Sequence, residues 1–91
     1  MPMTTTIQLH HIDTKTARKN FRVSLSTLRR ATELLKETLP IDAFDKEDNE
    51  RGYTFKSYLA LEKYFDLRRS GMPTHRAAEY LRSEFLKKTG V

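Results

Sequence analysis

The chain has 91 residues, 37% of them hydrophobic, no cysteine and a net charge of +5, which suits one domain, with or without a tail, and a modest core. Lack of cysteine excludes a disulfide framework and thiolate metal ligation. No apolar run approaches the ~20 residues that span a bilayer and no charged-then-apolar leader is visible, so a soluble cytoplasmic protein without membrane association is expected.

The charge is distributed unevenly. Residues 1–36 hold seven Lys/Arg against two acids, residues 37–50 one Lys against six acids, and residues 51–91 nine Lys/Arg against four acids. Two basic segments therefore flank an acidic one. A basic excess of this kind favours a polyanionic partner, although it equally describes a solvated surface.

Met1 to Thr6 has no apolar period and reads as a loose terminus. Ile7 to Ile12, IQLHHI, alternates at Ile7 and Leu9 and predicts a short strand, lying against the domain or pairing with a second copy. His10 and His11 are adjacent, with no acid or third His at a metal-ligand spacing, so they read as surface or packing residues and no cofactor is expected. Asp13 or Thr14 suits the cap of a first helix over roughly Lys15 to Asn20. Ala17 and Phe21 are its inward residues, and Lys15, Arg18 and Lys19 face water or a partner. Arg22 and Val23 form a tight turn.

The second helix is capped by Ser24 or Ser26, whose hydroxyls accept from free first-turn N–H groups. Leu25, Leu28, Ala31, Thr32 and Leu35 share one side at helical spacing, while Ser26, Arg30 and Glu33 point the opposite way with Arg29 on the flank. An apolar back with a small polar and cationic front is how a helix that enters a DNA groove must be built. The helix ends near Leu39-Pro40, because proline disfavours helix in the residue before it.

Ile41 to Gly52, IDAFDKEDNERG, is polar and acidic. It reads either as a hairpin, with Ile41, Ala43 and Phe44 in one strand and Tyr53 to Phe55 in the other, or as a disordered acidic loop. Thr54 or Ser57 opens a third helix to about Ser70, with Phe55, Tyr58, Leu59, Leu61, Glu62 and Phe65 on one broad side. Gly71 and Pro73 close it. Thr74 is expected to cap a fourth helix bearing Ala77, Ala78, Leu81 and Phe85, with Lys87 and Lys88 in its last turn.

Two blocks resemble the MerR-type winged helix-turn-helix family of bacterial DNA-binding proteins. One is Ala17 through Arg30, where Val23-Ser24-x-Ser26-Thr27-Leu28-Arg29 looks like that family's turn and start of the recognition helix. The other is Gly52-Tyr53 and the helix through Leu67-Arg68-Arg69-x-Gly71-Met72. The likeness covers about residues 14–81, without the long dimerisation helix and effector domain of full-length members. It implies a mainly α fold, a winged helix-turn-helix of about four helices with a short hairpin or loop as wing. An arm or short strand at 1–13 would precede the domain at 14–88. It further implies double-stranded DNA as partner, contacted by Arg18 on the first helix, Ser26, Thr27, Arg29 and Arg30 on the second, and Arg51 and Tyr53 at the base of the wing.

A small DNA-binding regulator or accessory factor is the expected function. Useful specificity normally needs a dimer, and the Ile7–Ile12 strand and the Leu81/Phe85 helix face are the surfaces left for one. The alternative is a protein–protein adaptor that keeps the fold without DNA binding and docks a basic partner on the acidic segment 42–50. An enzyme is not expected, since there is no phosphate-binding glycine loop and no histidine has a paired acid at motif spacing.

Overall fold

A computed structural model describes residues 11–46 and 52–89. The chain is mainly helical, in the order β1 (His11–Asp13), α1 (Thr14–Phe21), α2 (Leu25–Thr38), β2 (Gly52–Thr54), α3 (Phe55–Arg69) and α4 (Thr74–Thr89). No helix among the described residues is long and apolar enough to cross a membrane.

Short polar residues set where each of the first three helices begins. Asp13 ends β1 and caps α1, its Oδ1 accepting the Thr16 N–H at 2.7 Å. Hydrogen bonding by Thr16, its side chain foremost and this N–H next, holds the carboxyl below the usual aspartate range. Ser24 rather than Ser26 caps α2, accepting from the Thr27 N–H at 3.2 Å. Thr54 caps α3 in the same way, accepting from the Ser57 N–H. The fourth helix departs from expectation by one residue. Thr74 is already helical, and the Pro73 carbonyl accepts the Ala77 N–H at 2.9 Å.

The end of α3 is a glycine closure. Gly71 has φ 107°, its N–H reaches the Arg68 carbonyl, and the Met72 N–H reaches the Leu67 carbonyl. This pair of bonds satisfies two orphan carbonyls of the last turn, and Leu67 and Met72 are both half-buried against the core.

Leu28, Ala31 and Leu35 of α2 are buried together with Leu61, Tyr64 and Phe65 of α3 and Ala77, Ala78 and Leu81 of α4. The first helix joins this core through Phe21, which stacks on Tyr58 at 4.9 Å and tilts against Phe65 at 5.1 Å between ring centroids. Thr32 also faces inward, as expected. Leu25, expected on the same side, is exposed because it sits in the first turn, before the helix reaches its neighbours.

Two larger corrections concern the segment after α2. The hairpin between 41–44 and 53–55, one of the two readings of this segment, does not form: residues 41–43 make a turn, with the Ala43 and Phe44 N–H groups on the Pro40 carbonyl. The partner of β2 is β1, antiparallel, with Ile12 opposite Tyr53 and Asp13 opposite Gly52. Further, the inward face of α3 is only partly the expected one: Leu61 and Phe65 are buried and Tyr58 half-buried as expected, but the rest of the face is shifted. Phe55, Leu59 and Glu62 are exposed, while Ser57 and Tyr64 are buried. The reason is polar. The Ser57 hydroxyl donates to Asp45 Oδ1 at 2.8 Å and accepts the Asp45 N–H at 3.0 Å, and these bonds fix the helix start with Ser57 inward.

Candidate nucleic-acid interface

The surface around the turn between α1 and α2 is built from cations at helical spacing. Lys15, Arg18, Lys19 and Arg22 recur at i, i+3, i+4 and i+7, opposite the buried Ala17 and Phe21. With Val23 they line a shallow hollow of about 360 Å³. None has an acidic partner within ion-pair distance among the described residues. Like charges three and four apart on a helix repel by a few tenths of a kcal/mol per pair, so an unneutralised stripe is a small liability that an anionic partner relieves.

Arg22 adds a conformational cost. Its φ of 60° and ψ of 47° are left-handed, and its N–H closes on the Arg18 carbonyl. A residue with a Cβ pays roughly 1–2 kcal/mol for that region, which glycine enters freely. The chain keeps a cation there instead.

After the turn, α2 presents Ser26, Thr27, Arg29 and Arg30 to solvent. The Ser24 hydroxyl donates to Thr27 Oγ1 at 3.1 Å, which leaves the Thr27 proton for an outside acceptor. Arg30 and Thr27 open onto a second hollow of about 380 Å³ that also contains Arg68, Thr74 and His75. Arg68 is braced there, with Nη1 on the Met72 carbonyl at 2.8 Å. Burial pushes the pKa of the neighbouring Tyr64 phenol up, against the opposing pull of the Arg68 charge. Arg69, although exposed, is tied to its own chain. Its guanidinium bridges Asp66 and the Phe21 carbonyl, clamping the end of α1 to the end of α3.

The structure therefore gathers Arg18, Ser26, Thr27, Arg29 and Arg30 on exposed parts of two consecutive helices, and it adds Lys15, Lys19, Arg22 and Arg68. Arg22 and Arg68 were not singled out from sequence. The spacing of Arg22 from Lys15, Arg18 and Lys19 was the available signal, whereas the placement of Arg68 beside Arg30 depends on packing between distant segments.

Arg51 lies outside the described residues, and so do Glu47, Asp48 and Glu50 of the acidic segment. Tyr53 is a correction: it is 3% exposed, with its hydroxyl 2.8 Å from Thr32 Oγ1, so it is a core residue and not a surface one. Asp45 is another. Burial works to raise its pKa, but hydrogen bonds from the Thr54 and Ser57 hydroxyls and the Lys56 charge outweigh it and hold the carboxyl below its ordinary value. It pins the chain to the start of α3 and is not a free acid on a docking loop.

Both surfaces considered for dimerisation are also partly engaged. His11 and Ile12 pair with Thr54 and Tyr53 of their own chain, and Leu81 is buried in the core; Ile7 to His10 lie outside the described residues.

No protein family model matches the chain, and no curated protein or solved structure matches it.

Proposed function

We propose that this is a small DNA-binding protein, a regulator or accessory factor, that offers the exposed face of α2 to the major groove of duplex DNA. The observation that carries this reading is the cationic stripe Lys15, Arg18, Lys19 and Arg22 beside a polar, serine-capped helix front. The stripe suits phosphates, which position a protein on the duplex without reading sequence. Arg30 and Thr27 suit base edges or nearby phosphates, since a guanidinium fork pairs with both guanine and phosphate oxygens. The fold that accompanies this reading is a helix-turn-helix of the MerR-like kind, in which the N-terminal arm supplies the strand beside β2. Such a protein acts on the bacterial chromosome, in the cytoplasm, with a second copy completing the site.

Binding of the full chain to random-sequence and genomic duplexes across a salt series tests the proposal. Each phosphate neutralised contributes about 0.9 to the slope of log K against log salt, so the four stripe residues predict a slope of about −4 or steeper. The expected result is that slope together with a preference for some duplexes. A steep slope with no preference reduces the interaction to charge attraction alone. No binding even at low salt overturns the proposal.

A further inference from the structure

A second surface lies between α3 and α4, formed by residues that the DNA reading does not use. Phe55 and Leu59, one turn apart on α3, are 54% and 38% exposed. They face Phe85 and the edge of Leu81 on α4 across a groove of about 400 Å³. A buried aromatic is worth several kcal/mol, so a phenylalanine left half in water is a candidate anchor for a partner. Three lysines rim this groove, Lys56, Lys63 and Lys88, against one acid, Glu84. Glu84 reaches Lys87 and Lys56 reaches Asp45, while Lys63 and Lys88 have no acidic partner among the described residues.

We propose that this groove receives an acidic amphipathic helix of another protein, laid with its apolar face on Phe55, Leu59 and Phe85 and its carboxylates over Lys63 and Lys88. Two helical ridges with an apolar floor match the groove mode of helix recognition, in which anchors recur at i, i+3, i+4 and i+7. Charge selects the partner. A second copy docked face to face would set lysine against lysine, because a two-fold contact brings the same patch to itself. The chain's own acidic stretch Glu47-Asp48-Asn49-Glu50 contains no apolar residue to fill the floor.

The test uses two fluorescein-labelled helical peptides of about 18 residues with identical leucine stripes, one flanked by glutamates and the other by lysines. The full chain is titrated into each. The glutamate peptide is expected to saturate in the micromolar range, at least about tenfold more tightly than the lysine peptide. Leu59→Asp, at an exposed position, should weaken it about tenfold or more without lowering the melting temperature or changing duplex DNA affinity. Lys63→Glu with Lys88→Glu should reverse the preference between peptides. Equal binding or no binding of both peptides overturns the proposal. Self-association in sedimentation that Leu59→Asp abolishes overturns it in favour of a second copy.

Discussion

Tyr53 donates its hydroxyl proton to Thr32. The two oxygens lie 2.8 Å apart, and the single Thr32 proton is already given to the Leu28 carbonyl at 2.8 Å. The direction of the bond follows by elimination, and it ties β2 to the middle of α2 inside the core. Thr32→Val leaves a buried donor unpaired and is expected to cost about 1–3 kcal/mol, whereas Tyr53→Phe should cost about 1 kcal/mol. The double variant should be less destabilised than the sum of the two in urea unfolding. Duplex DNA affinity should be unchanged in Tyr53→Phe; a loss at intact stability would put Tyr53 back on the binding surface.

Two glycines are constrained for different reasons. A Cβ on Gly52 would meet the Ile12 carbonyl oxygen at 2.5 Å, so β1 and β2 must move apart to admit it. A Cβ on Gly71 meets nothing within 4 Å, but its φ of 107° strains any other residue. Gly52→Ala is expected to cost about 1–3 kcal/mol through the sheet. Gly71→Ala should cost a similar amount through the backbone alone. Hydrogen exchange separates them: only Gly52→Ala should loosen the β1 amides.

The Asp45 carboxyl titrates below its ordinary value of 3.8 in the folded chain. A depressed carboxylate contributes stability that is present above the unfolded pKa and is lost as pH falls through the folded one. Asp45→Asn should therefore lower stability at neutral pH, by about 1–2 kcal/mol for the charged hydrogen bonds. It should also flatten the loss of stability on acidification below about pH 4. Asp13 is likewise held down and keeps some of that slope. An unchanged acid limb in Asp45→Asn would show that its network does not survive in solution.

Arg30 and Arg29 are expected to fail differently. Arg30→Ala should cost about 1–3 kcal/mol on the preferred duplex and relax one base position, while Arg29→Ala should weaken all duplexes alike and reduce the salt slope by about 1. If Arg30→Ala loses nothing on any duplex, α2 does not read bases.

Arg22 sets stability against binding. Arg22→Gly relieves the left-handed backbone and is expected to stabilise the fold by up to about 1 kcal/mol in thermal unfolding. The same variant removes a cation from the stripe and should weaken binding to every duplex uniformly. A gain in both would show that Arg22 stays clear of DNA.

Much of the helical framework was legible in the sequence because its determinants are local. Asp13, Ser24 and Thr54 act on N–H groups three residues away, and Gly71 acts on its own φ. The inward set of α2 was legible because Leu28, Ala31, Thr32 and Leu35 carry the period by themselves. The face of α3 was legible only in part: Leu61 and Phe65 face inward as their spacing predicts, but a count of apolar residues also favours Phe55 and Leu59 and cannot weigh Ser57, whose inward position is decided by Asp45. The partner of β2 was not legible either. Gly52–Thr54 is a three-residue strand with no turn directing it to a nearby mate. The candidate interface divides the same way, with Arg18, Ser26, Thr27, Arg29 and Arg30 placed by helical period and Arg68 placed only by packing.

The β1–β2 pairing also has a bearing on the order of folding. Ile12 and Tyr53 are roughly forty positions apart, and closing so long a loop costs roughly 2 kcal/mol more chain entropy than closing a four-residue hairpin. Helical turns repay their own closure within microseconds, so the two strands meet after α1, α2 and α3 have begun to assemble. Substitutions at the sheet should then mainly speed unfolding, and substitutions between α2 and α3 should mainly slow refolding. The strand β1 is thus among the last elements to find its place, because its partner strand is synthesised some forty residues later.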